Sequence, residues 1–162
     1  MTPTTVPLCP RELSQKGLVF IAGFEGFRAK AYNDAAKPTN CTIGYGHVLH
    51  SGPCRAADEA LEWSKAQALG VLKRDSELAA HAVTTSVRVA LTQPQYDALV
   101  SFTFNCGTGA FTTSHLLSLV NAHEFAKVPG ELLKWVHAGS VVLPGLVNRR
   151  RAEGELFAHG TY

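Results

Sequence analysis

The fold is decided where Gly23-Phe-Glu-Gly-Phe-Arg28 is followed by Ala31-Tyr-Asn-Asp34 and Thr42-Ile-Gly-Tyr-Gly-His47. The first of these stretches ends a segment, residues 11–27, in which apolar residues recur at helical spacing. The other two lie within residues 31–50, where turn-forming residues separate short apolar runs. This order predicts one helix followed directly by a small sheet of short strands.

The remainder of the chain has a helical pattern. Ser64-Lys-Ala-Gln67 and Thr92-Gln-Pro-Gln95 are capping boxes, and they predict helices that run to about Val83 and to Gly107. Further helices are predicted over residues 111–122, 124–138 and 148–158. The sheet near residues 31–50 is therefore expected to be the only β element.

These elements predict an α+β fold, in which an N-terminal helix and a small β-sheet lobe pack on a mostly helical body with a cleft between them. A chain of 162 residues is long enough for a single domain of this kind. Within it we expect a flexible arm over residues 1–10, a small β lobe over 27–54 and a helical lobe over 55–162.

Composition and charge exclude several classes of protein. The chain has 15 Lys and Arg against 13 Asp and Glu, and its formal net charge of +2 is too small to indicate a nucleic-acid partner. No apolar stretch near the N-terminus approaches membrane-spanning length, and residues 1–10 lack the basic segment of a signal peptide. We therefore expect neither a transmembrane segment nor a signal peptide.

Two carboxyl groups stand at the predicted junction of helix and sheet, Glu25 and Asp34. Glycoside hydrolysis uses a carboxyl group on each side of the scissile bond, one to protonate the leaving oxygen and one to activate water. Apolar neighbours such as Phe24 and Phe27 favour the protonated form of a carboxyl group, as a general acid requires. Taken alone, the pattern also fits a solvated glutamate at a helix end.

The order Glu25, Asp34 and Thr42-Ile-Gly-x-Gly-His47 resembles the phage-type lysozymes of glycoside hydrolase family 24. The resemblance continues through residues 95–107 and through Leu143-Pro-Gly-Leu-Val-x-Arg-Arg150, and it covers about residues 14–158. It implies a lysozyme-like fold and a muramidase without cofactor or metal. Such an enzyme hydrolyses the β-1,4 bond between N-acetylmuramic acid and N-acetylglucosamine in bacterial peptidoglycan and so lyses the host cell.

The resemblance also implies partners and a location. The substrate would be peptidoglycan glycan strands, with no nucleic acid, at most secondary membrane contact, and a monomeric enzyme. It would accumulate in the host cytoplasm and act in the periplasm or cell wall after a holin opens the membrane. The alternative is a cationic membrane-permeabilising or peptidoglycan-binding protein without catalysis, for which Lys134-Trp-Val-His137 and Arg149–Arg151 offer a cationic surface.

By the same resemblance Glu25 is the general acid, Asp34 the second carboxylate, and Thr42 the hydroxyl that helps to place the attacking water of an inverting reaction. The family has five residues between the aspartate and the threonine, whereas this chain has seven, so counting alone would select Asn40. Two extra residues in the Lys37–Pro38 turn cost only about 0.3 kcal/mol of closure entropy, and we therefore choose Thr42. Thr42→Ala is accordingly expected to reduce activity and Asn40→Ala to change it little.

Substrate contacts are implied at Val48, Phe104 and Ser114, although packing alone also explains Phe104. Gly44 and Gly46 are interpreted as serving strand shape or the close approach of substrate.

Three further residues are expected to support the site. His47 is interpreted as a packed or hydrogen-bonded structural histidine, because a two-carboxylate mechanism leaves it no proton to transfer. Either Arg149 or Arg150 could reach Glu25, where its charge would favour the ionised carboxylate.

The four cysteines stand at positions 9, 41, 54 and 106. Cys41 and Cys54 flank the predicted hairpin, which predicts a disulfide in an oxidising compartment, with free thiols as the alternative. With His47 and His50 they could instead form a four-ligand zinc site, although the spacing is not that of a standard zinc finger. Cys106 is expected to be a buried thiol, and Cys9 has no predicted partner.

Overall fold

The computed structural model describes residues 12–35 and 37–162, so the predicted arm over residues 1–10 and Cys9 lie outside the described residues. The chain divides into two compact units. One contains Leu18–Asp75 and is called the sheet unit; the other contains Ser76–Tyr162 with the described residues up to Gly17, and is called the helical unit. The helices and strands of these two units, given below, confirm the predicted α+β class.

The sheet unit is built around a three-stranded antiparallel sheet. Helix α1 (Gln15–Glu25) ends in this unit, and the strands follow in the order β1 (Arg28–Asn33), β2 (Asn40–Gly44) and β3 (His47–Ser51). The short helix α2 (Ala56–Glu59) and helix α3 (Lys65–Asp75) complete it. The central strand β2 is the most buried of the three, because it has a hydrogen-bonded neighbour on each side.

Helix α3 packs on the sheet and belongs to the same unit. Gly44 has a φ of 69°, and a Cβ at this position would lie 3.1 Å from Ala68 Cβ and 3.1 Å from Trp63 Cε3. The backbone N–H of Trp63 donates to the carbonyl oxygen of Ala29 at 2.8 Å. These contacts explain why the unit extends to Asp75, beyond the lobe predicted over residues 27–54.

The helical unit is arranged around α5 (Gln93–Cys106), in which every residue from Tyr96 to Thr103 is buried. Helix α5 packs against α4 (Glu77–Ser86) and α9 (Pro144–His159). In sequence, the segment between α5 and α9 forms α6 (Thr108–Thr112), α7 (His115–Asn121), a 3-10 turn (Phe125–Lys127), α8 (Val128–Leu132), β4 (His137–Ala138) and β5 (Val141–Val142). None of the helices in the described part of the chain has the length and apolar character that a membrane crossing requires.

The predicted long helix from Ser64 to about Val83 is two helices, α3 and α4, with Ser76 between them. Buried residues continue at helical spacing through this break, for example Leu72, Ser76 and Ala79, which makes the two helices look continuous in sequence. They are separate because they pack differently: α3 contacts strands β2 and β3, whereas α4 packs against α5.

The sheet near residues 31–50 is not the only β element, and the helix predicted over residues 124–138 is observed only from Phe125 to Leu132, as the 3-10 turn and α8. Strands β4 and β5 pair in an antiparallel hairpin. Gly139 has a φ of 62°, which suits a tight turn, and the β-branched valines of β5 favour extended backbone. Because α9 starts directly after this hairpin, it begins at Pro144 rather than near residue 148, with proline in its first turn.

Candidate functional site

Glu25 is the last residue of α1 and is half-buried. The helix ends there because Gly26 has a φ of 69°, a left-handed conformation that glycine adopts without strain. The neighbours of Glu25 are more solvated than the sequence predicted: Gly23 and Gly26 are exposed, and Phe24 is 37% exposed while its ring packs against Phe20. Glu25 is therefore close to solvent on one side.

Asp34 follows β1 and is held by donors from the start of β2. Its Oδ1 accepts from the backbone N–H of Asn40 at 2.8 Å, and its Oδ2 accepts from Asn40 Nδ2 at 3.0 Å. The hydroxyl of Thr39 donates to the backbone carbonyl of Asp34 at 2.8 Å. Both carboxyl oxygens of Asp34 accept hydrogen bonds here, so this loop fixes the orientation of the group.

Thr42 lies in β2, two residues beyond Asn40, and is 3% exposed. Its Oγ1 is buried and has no hydrogen-bond partner among the described residues. Buried hydroxyl groups usually have a hydrogen-bond partner, so a water molecule or a ligand is expected to bind this one. A water at this hydroxyl would lie about two strand residues, roughly 7 Å, from the end of β2 that holds Asp34.

Asn40 is a direct partner of Asp34, which changes what we expect of its substitution. From the sequence, Asn40 is only the alternative to Thr42 at the position of the family's threonine, and Asn40→Ala is therefore predicted to change activity little. Because the Asn40 side chain donates to the Asp34 carboxylate, the structure favours a positioning role for Asn40 and leaves Thr42 as the residue with an unused hydroxyl.

The hairpin β2–β3 places the other predicted residues of the sheet unit. His47 Nδ1 lies 2.8 Å from Asp75 Oδ2, and its ring packs at 5.7 Å from the ring of Trp63, as a structural histidine would. Val48 is the strand partner of Thr42 and is 47% exposed, so it is available for contact with a ligand. A side chain at Gly44 would meet Ala68 of α3 and Trp63, which explains a glycine at this position of the strand.

Arg149 and Arg150 both bind Glu153 within the helical unit. Glu153 is fully buried; its Oε1 accepts from Arg149 Nε at 3.1 Å and from Ser101 Oγ at 2.7 Å, and its Oε2 accepts from Arg150 Nη1.

Arg150 is committed to this unit by further contacts. Its Nε donates to the carbonyl oxygen of Trp135 at 3.1 Å, its Nη2 donates to Asn105 Oδ1, and its guanidinium lies 5.0 Å from the ring centre of Phe102. Each of its three nitrogens is therefore used within the helical unit. The prediction that Arg149 or Arg150 reaches Glu25 stays a prediction.

Ser114 is the N-cap of α7 and is buried. Its hydroxyl donates to the carbonyl oxygen of Phe111 at 2.7 Å and accepts from the N–H of Leu117 at 3.1 Å. This capping role explains Ser114 without a substrate contact. Phe104, the other predicted contact in this unit, is half-buried in the last turns of α5.

A cavity of about 420 Å³ opens in the helical unit, and the sequence did not predict it. Its lining combines cations, an aromatic ring and a thiol: Asn105, Cys106, Lys134, Trp135, His137, Leu146 and Arg150. Cys106 was expected to be buried but is only half-buried, and this burial raises the pKa of its thiol.

Cys41 and Cys54 are joined in a disulfide, with their Cα atoms 4.7 Å apart. The zinc site drawn from the sequence is not assembled in this form, because both sulfurs are bonded to each other and the two histidines have separate partners. His47 binds Asp75, whereas His50 Nε2 lies 2.8 Å from Asp58 Oδ2. The hydrogen bond with Asp58 raises the pKa of His50.

Comparison with known proteins identifies the family. The sequence pattern described as phage lysozyme matches residues 22–153. The chain belongs to this family. It is 42% identical over 151 residues to the endolysin of Bacillus phage B103, an alignment that covers 91% of this chain and 54% of that protein. The chain thus spans about half the length of this relative.

Two solved structures share the lysozyme-like fold. The endolysin from Escherichia coli O157:H7 phage FAHEc1 has a TM-score of 0.81 and 33% identity, covering 93% of this chain and 96% of that one. The muramidase domain of SpmX from Asticaccaulis excentricus has a TM-score of 0.75 and 33% identity, covering 91% of this chain and 97% of that one. The predicted fold and family are confirmed.

Proposed function

We propose that this phage lysozyme family member is an endolysin that acts as a muramidase on bacterial peptidoglycan. The observation that carries the proposal is that Asp34, held by donors after β1, and the buried hydroxyl of Thr42 without a protein partner among the described residues lie on two neighbouring strands of one sheet. A carboxylate acceptor and a hydroxyl are the two groups that would hold a water molecule between them. The names of the relatives, endolysin and muramidase, support the same reaction.

In the proposed reaction, Glu25 protonates the oxygen of the leaving sugar while Asp34 accepts a proton from the attacking water. Thr42 orients that water. An inverting mechanism of this kind needs roughly 6.5 to 9.5 Å between the two carboxyl groups, so that the water fits between Asp34 and the sugar. Val48, which lies opposite Thr42 on β3, is proposed as a substrate contact.

The 420 Å³ cavity of the helical unit is proposed as a second contact surface for peptidoglycan. Sugars pack on aromatic rings, and Trp135 lines this cavity beside Lys134 and Arg150. These cations would complement the carboxylates of the peptide stems that the muramic acid residues carry. The protein is proposed to work as a monomer on glycan strands in the cell wall, reached after a holin opens the membrane.

Glu25→Gln tests the proposal. The substitution keeps the shape of the side chain but removes the proton that Glu25 would transfer, so lysis should slow by roughly 100-fold or more. The measurement is the clearing rate of outer-membrane-stripped Gram-negative cells, with circular dichroism to confirm folding. Glu59→Gln, an exposed glutamate of α2 in the same unit, is the matched control and should retain full activity.

The reaction products separate the alternatives. Mass spectrometry should find reducing N-acetylmuramic acid ends after digestion of purified peptidoglycan. Anhydro-muramic ends would indicate a lytic transglycosylase instead. A folded Glu25→Gln protein that clears cells at the wild-type rate would refute the enzymatic proposal and favour membrane permeabilisation.

A further inference from the structure

A cluster of side chains beside the disulfide has no part in the proposed reaction. Cys41 and His50 are partners across strands β2 and β3, and Asp58 lies in α2, shortly after Cys54. Cys41 Sγ, a ring nitrogen of His50 and a carboxylate oxygen of Asp58 all lie within 4.8 Å of one another. Cys54 Sγ is bonded to Cys41 Sγ, so four potential metal ligands converge on one place.

We propose that, when the disulfide is reduced, Cys41, Cys54, His50 and Asp58 bind one Zn²⁺ ion. The disulfide and the metal then cross-link the same hairpin alternately, because both use the same two sulfur atoms. A reducing compartment would favour the zinc form, and an oxidising compartment would favour the disulfide.

The donor set fits zinc. Two thiolates, an imidazole and a carboxylate are all ligands that Zn²⁺ takes in tetrahedral sites. At the usual zinc–ligand distances, the donor atoms of such a site lie roughly 3.3 to 3.8 Å apart. The ligand atoms of Cys41, His50 and Asp58 are already within 4.8 Å of one another, so closing the site requires side-chain shifts of about 1 Å together with separation of the two reduced sulfurs.

His50 is already oriented as a ligating histidine. Its Nδ1 lies 3.0 Å from the carbonyl oxygen of Ser51, so Nδ1 carries a hydrogen and donates it there. Zinc-bound histidines commonly use such a backbone carbonyl to fix the ring. The other nitrogen, Nε2, faces Asp58 Oδ2 at 2.8 Å, and two acceptors at this distance need a cation between them. A metal ion would take the place of the proton that can bridge them.

Asp58 and the solvent side of the cluster also suit an ion. The backbone N–H of Arg55 donates to Asp58 Oδ2 at 2.7 Å and holds the carboxylate toward the cluster. Cys41 is fully buried, but the side chains of His50 and Asp58 are 23% and 16% exposed, which leaves a route for an ion from solvent. His47 is excluded as a ligand because Asp75 and Trp63 hold its ring elsewhere.

A low-molecular-weight disulfide is the oxidant that converts the zinc form into the disulfide form. The Cys41 thiolate attacks this disulfide, forms a mixed disulfide and releases one thiolate. The Cys54 thiolate then attacks Cys41 Sγ and releases the second thiolate. Two protein thiolates are thus oxidised, one external disulfide is reduced to two thiolates, and Zn²⁺ is released because its sulfur ligands are lost.

Either cross-link would brace the end of β1 that leads to Asp34. The backbone N–H of Cys54 donates to Asn33 Oδ1 at 2.7 Å, and Asn33 is the strand partner of Cys41. The residue before Asp34 is thereby tied to both cysteines.

The test is metal binding by the full chain in both redox forms, with Cys9→Ser and Cys106→Ser so that Cys41 and Cys54 are the remaining cysteines. After reduction and anaerobic removal of the reductant, Zn²⁺ is titrated against a chromophoric chelator, and Co²⁺ is added separately as a spectroscopic probe. We expect one ion per reduced chain, a tetrahedral Co²⁺ spectrum with thiolate charge-transfer bands, and no binding by the oxidised chain. Addition of oxidised glutathione should release the zinc.

Ligand variants identify the site. Loss of a residue that only hydrogen-bonds a zinc ligand typically weakens metal affinity roughly 10- to 100-fold. His50→Ala and Asp58→Asn, which remove proposed ligands, should each weaken zinc binding by at least this much, whereas His47→Ala should leave it unchanged. Failure of the reduced, folded chain to bind zinc, equal binding by both redox forms, or loss of binding only in His47→Ala would overturn the proposal. If the reduced chain unfolds, zinc must restore its circular dichroism spectrum, and failure to do so also overturns it.

Discussion

At the scale of single residues, the hydroxyl of Thr42 separates activity from stability. Thr42→Val keeps the size and branching of the side chain and removes a hydroxyl that has no protein partner in the described chain. The free energy of unfolding should therefore change by no more than about 0.5 kcal/mol, or rise slightly. Activity should fall roughly 100-fold, because the attacking water loses its orientation.

The control is Thr42→Ser, which retains the hydroxyl and should retain most of the activity. Clearing rates and urea unfolding of the three proteins provide the measurement. An active Thr42→Val protein would show that Thr42 does not orient the water and that the two-residue insertion lies elsewhere in the chain.

Asn40 tests the positioning of Asp34. Asn40→Ala removes the Nδ2 donor to Asp34 Oδ2 but keeps the backbone donor to Oδ1. Because hydrogen bonds to a charged group contribute more than neutral ones, unfolding should become easier by about 1.5 to 3 kcal/mol. We expect activity to fall roughly 10-fold, mainly in kcat, since Asp34 stays in place but is less well oriented.

Asn148→Ala, at an exposed position of α9, is the matched control and should behave as the wild type. A clearing rate of Asn40→Ala equal to that of the control would restore the expectation drawn from the sequence. That expectation missed the Asp34 contact because Asp34 and Asn40 are six positions apart and meet only where the chain turns between β1 and β2, and no spacing rule predicts such a contact.

At the scale of secondary structure, the sequence predicted what local chemistry determines. In the capping box at Thr92, the backbone N–H of Thr92 donates to Gln95 Oε1 at 2.9 Å. Helix α5 begins at Gln93, the residue after Thr92. Ser64 and Gln67 form the same contact before α3. Each box needs only four consecutive residues, so it can be identified from the sequence alone.

The break at Ser76 and the hairpin β4–β5 could not be predicted in this way. Leu72 and Ala79 continue one apolar stripe through the break, and only the packing of α3 on the sheet and of α4 on α5 separates the two helices. The two strands of the hairpin are two residues each, too short for an alternating pattern to indicate them.

Helix α9 also carries a prediction, because its Glu153 is fully buried between two arginines. Glu153→Gln leaves Arg149 and Arg150 without their shared counter-charge, and removal of one partner from a buried ion pair costs about 3 to 5 kcal/mol. Glu155→Gln, on the same helix with a side chain 60% exposed, should change the free energy of unfolding by less than about 0.5 kcal/mol. Urea unfolding of both variants decides the matter: equal midpoints would show that the buried cluster contributes nothing.

At the scale of the whole molecule, Asp97 joins segments that are far apart in sequence. This fully buried residue of α5 accepts hydrogen bonds from Ser14 N at 3.1 Å, Gln93 Nε2 at 2.8 Å and Tyr162 Oη at 2.5 Å. A Cβ at Gly17 would lie 2.5 Å from Asp97 Cγ, so glycine is required there. No sequence pattern relates these residues, because the contacts span up to 83 positions.

The Asp97 contact gives the molecule a specific loss of stability in alkali. Burial, together with the hydrogen bond to Asp97, raises the pKa of Tyr162 to about 12, whereas an unfolded tyrosine titrates near pH 10. Between about pH 10 and 12 the unfolded chain has lost the Tyr162 proton and the folded chain still holds it. The free energy of unfolding should therefore fall with rising pH in this window. The contribution of the Tyr162 proton to stability is complete below about pH 10 and is lost as the pH rises to about 12.

Tyr162→Phe removes the titrating group, so its urea midpoint should decline less steeply with pH across this window than that of the wild type. At neutral pH the variant should be less stable, because Asp97 loses one donor. Tyr45→Phe, which removes a phenol from the sheet unit, is the control and should follow the wild-type decline. Parallel declines of the wild type and Tyr162→Phe would mean that the Tyr162 proton is equally held in the folded and unfolded chains, and that the contact with Asp97 does not tie this end of the sequence to α5.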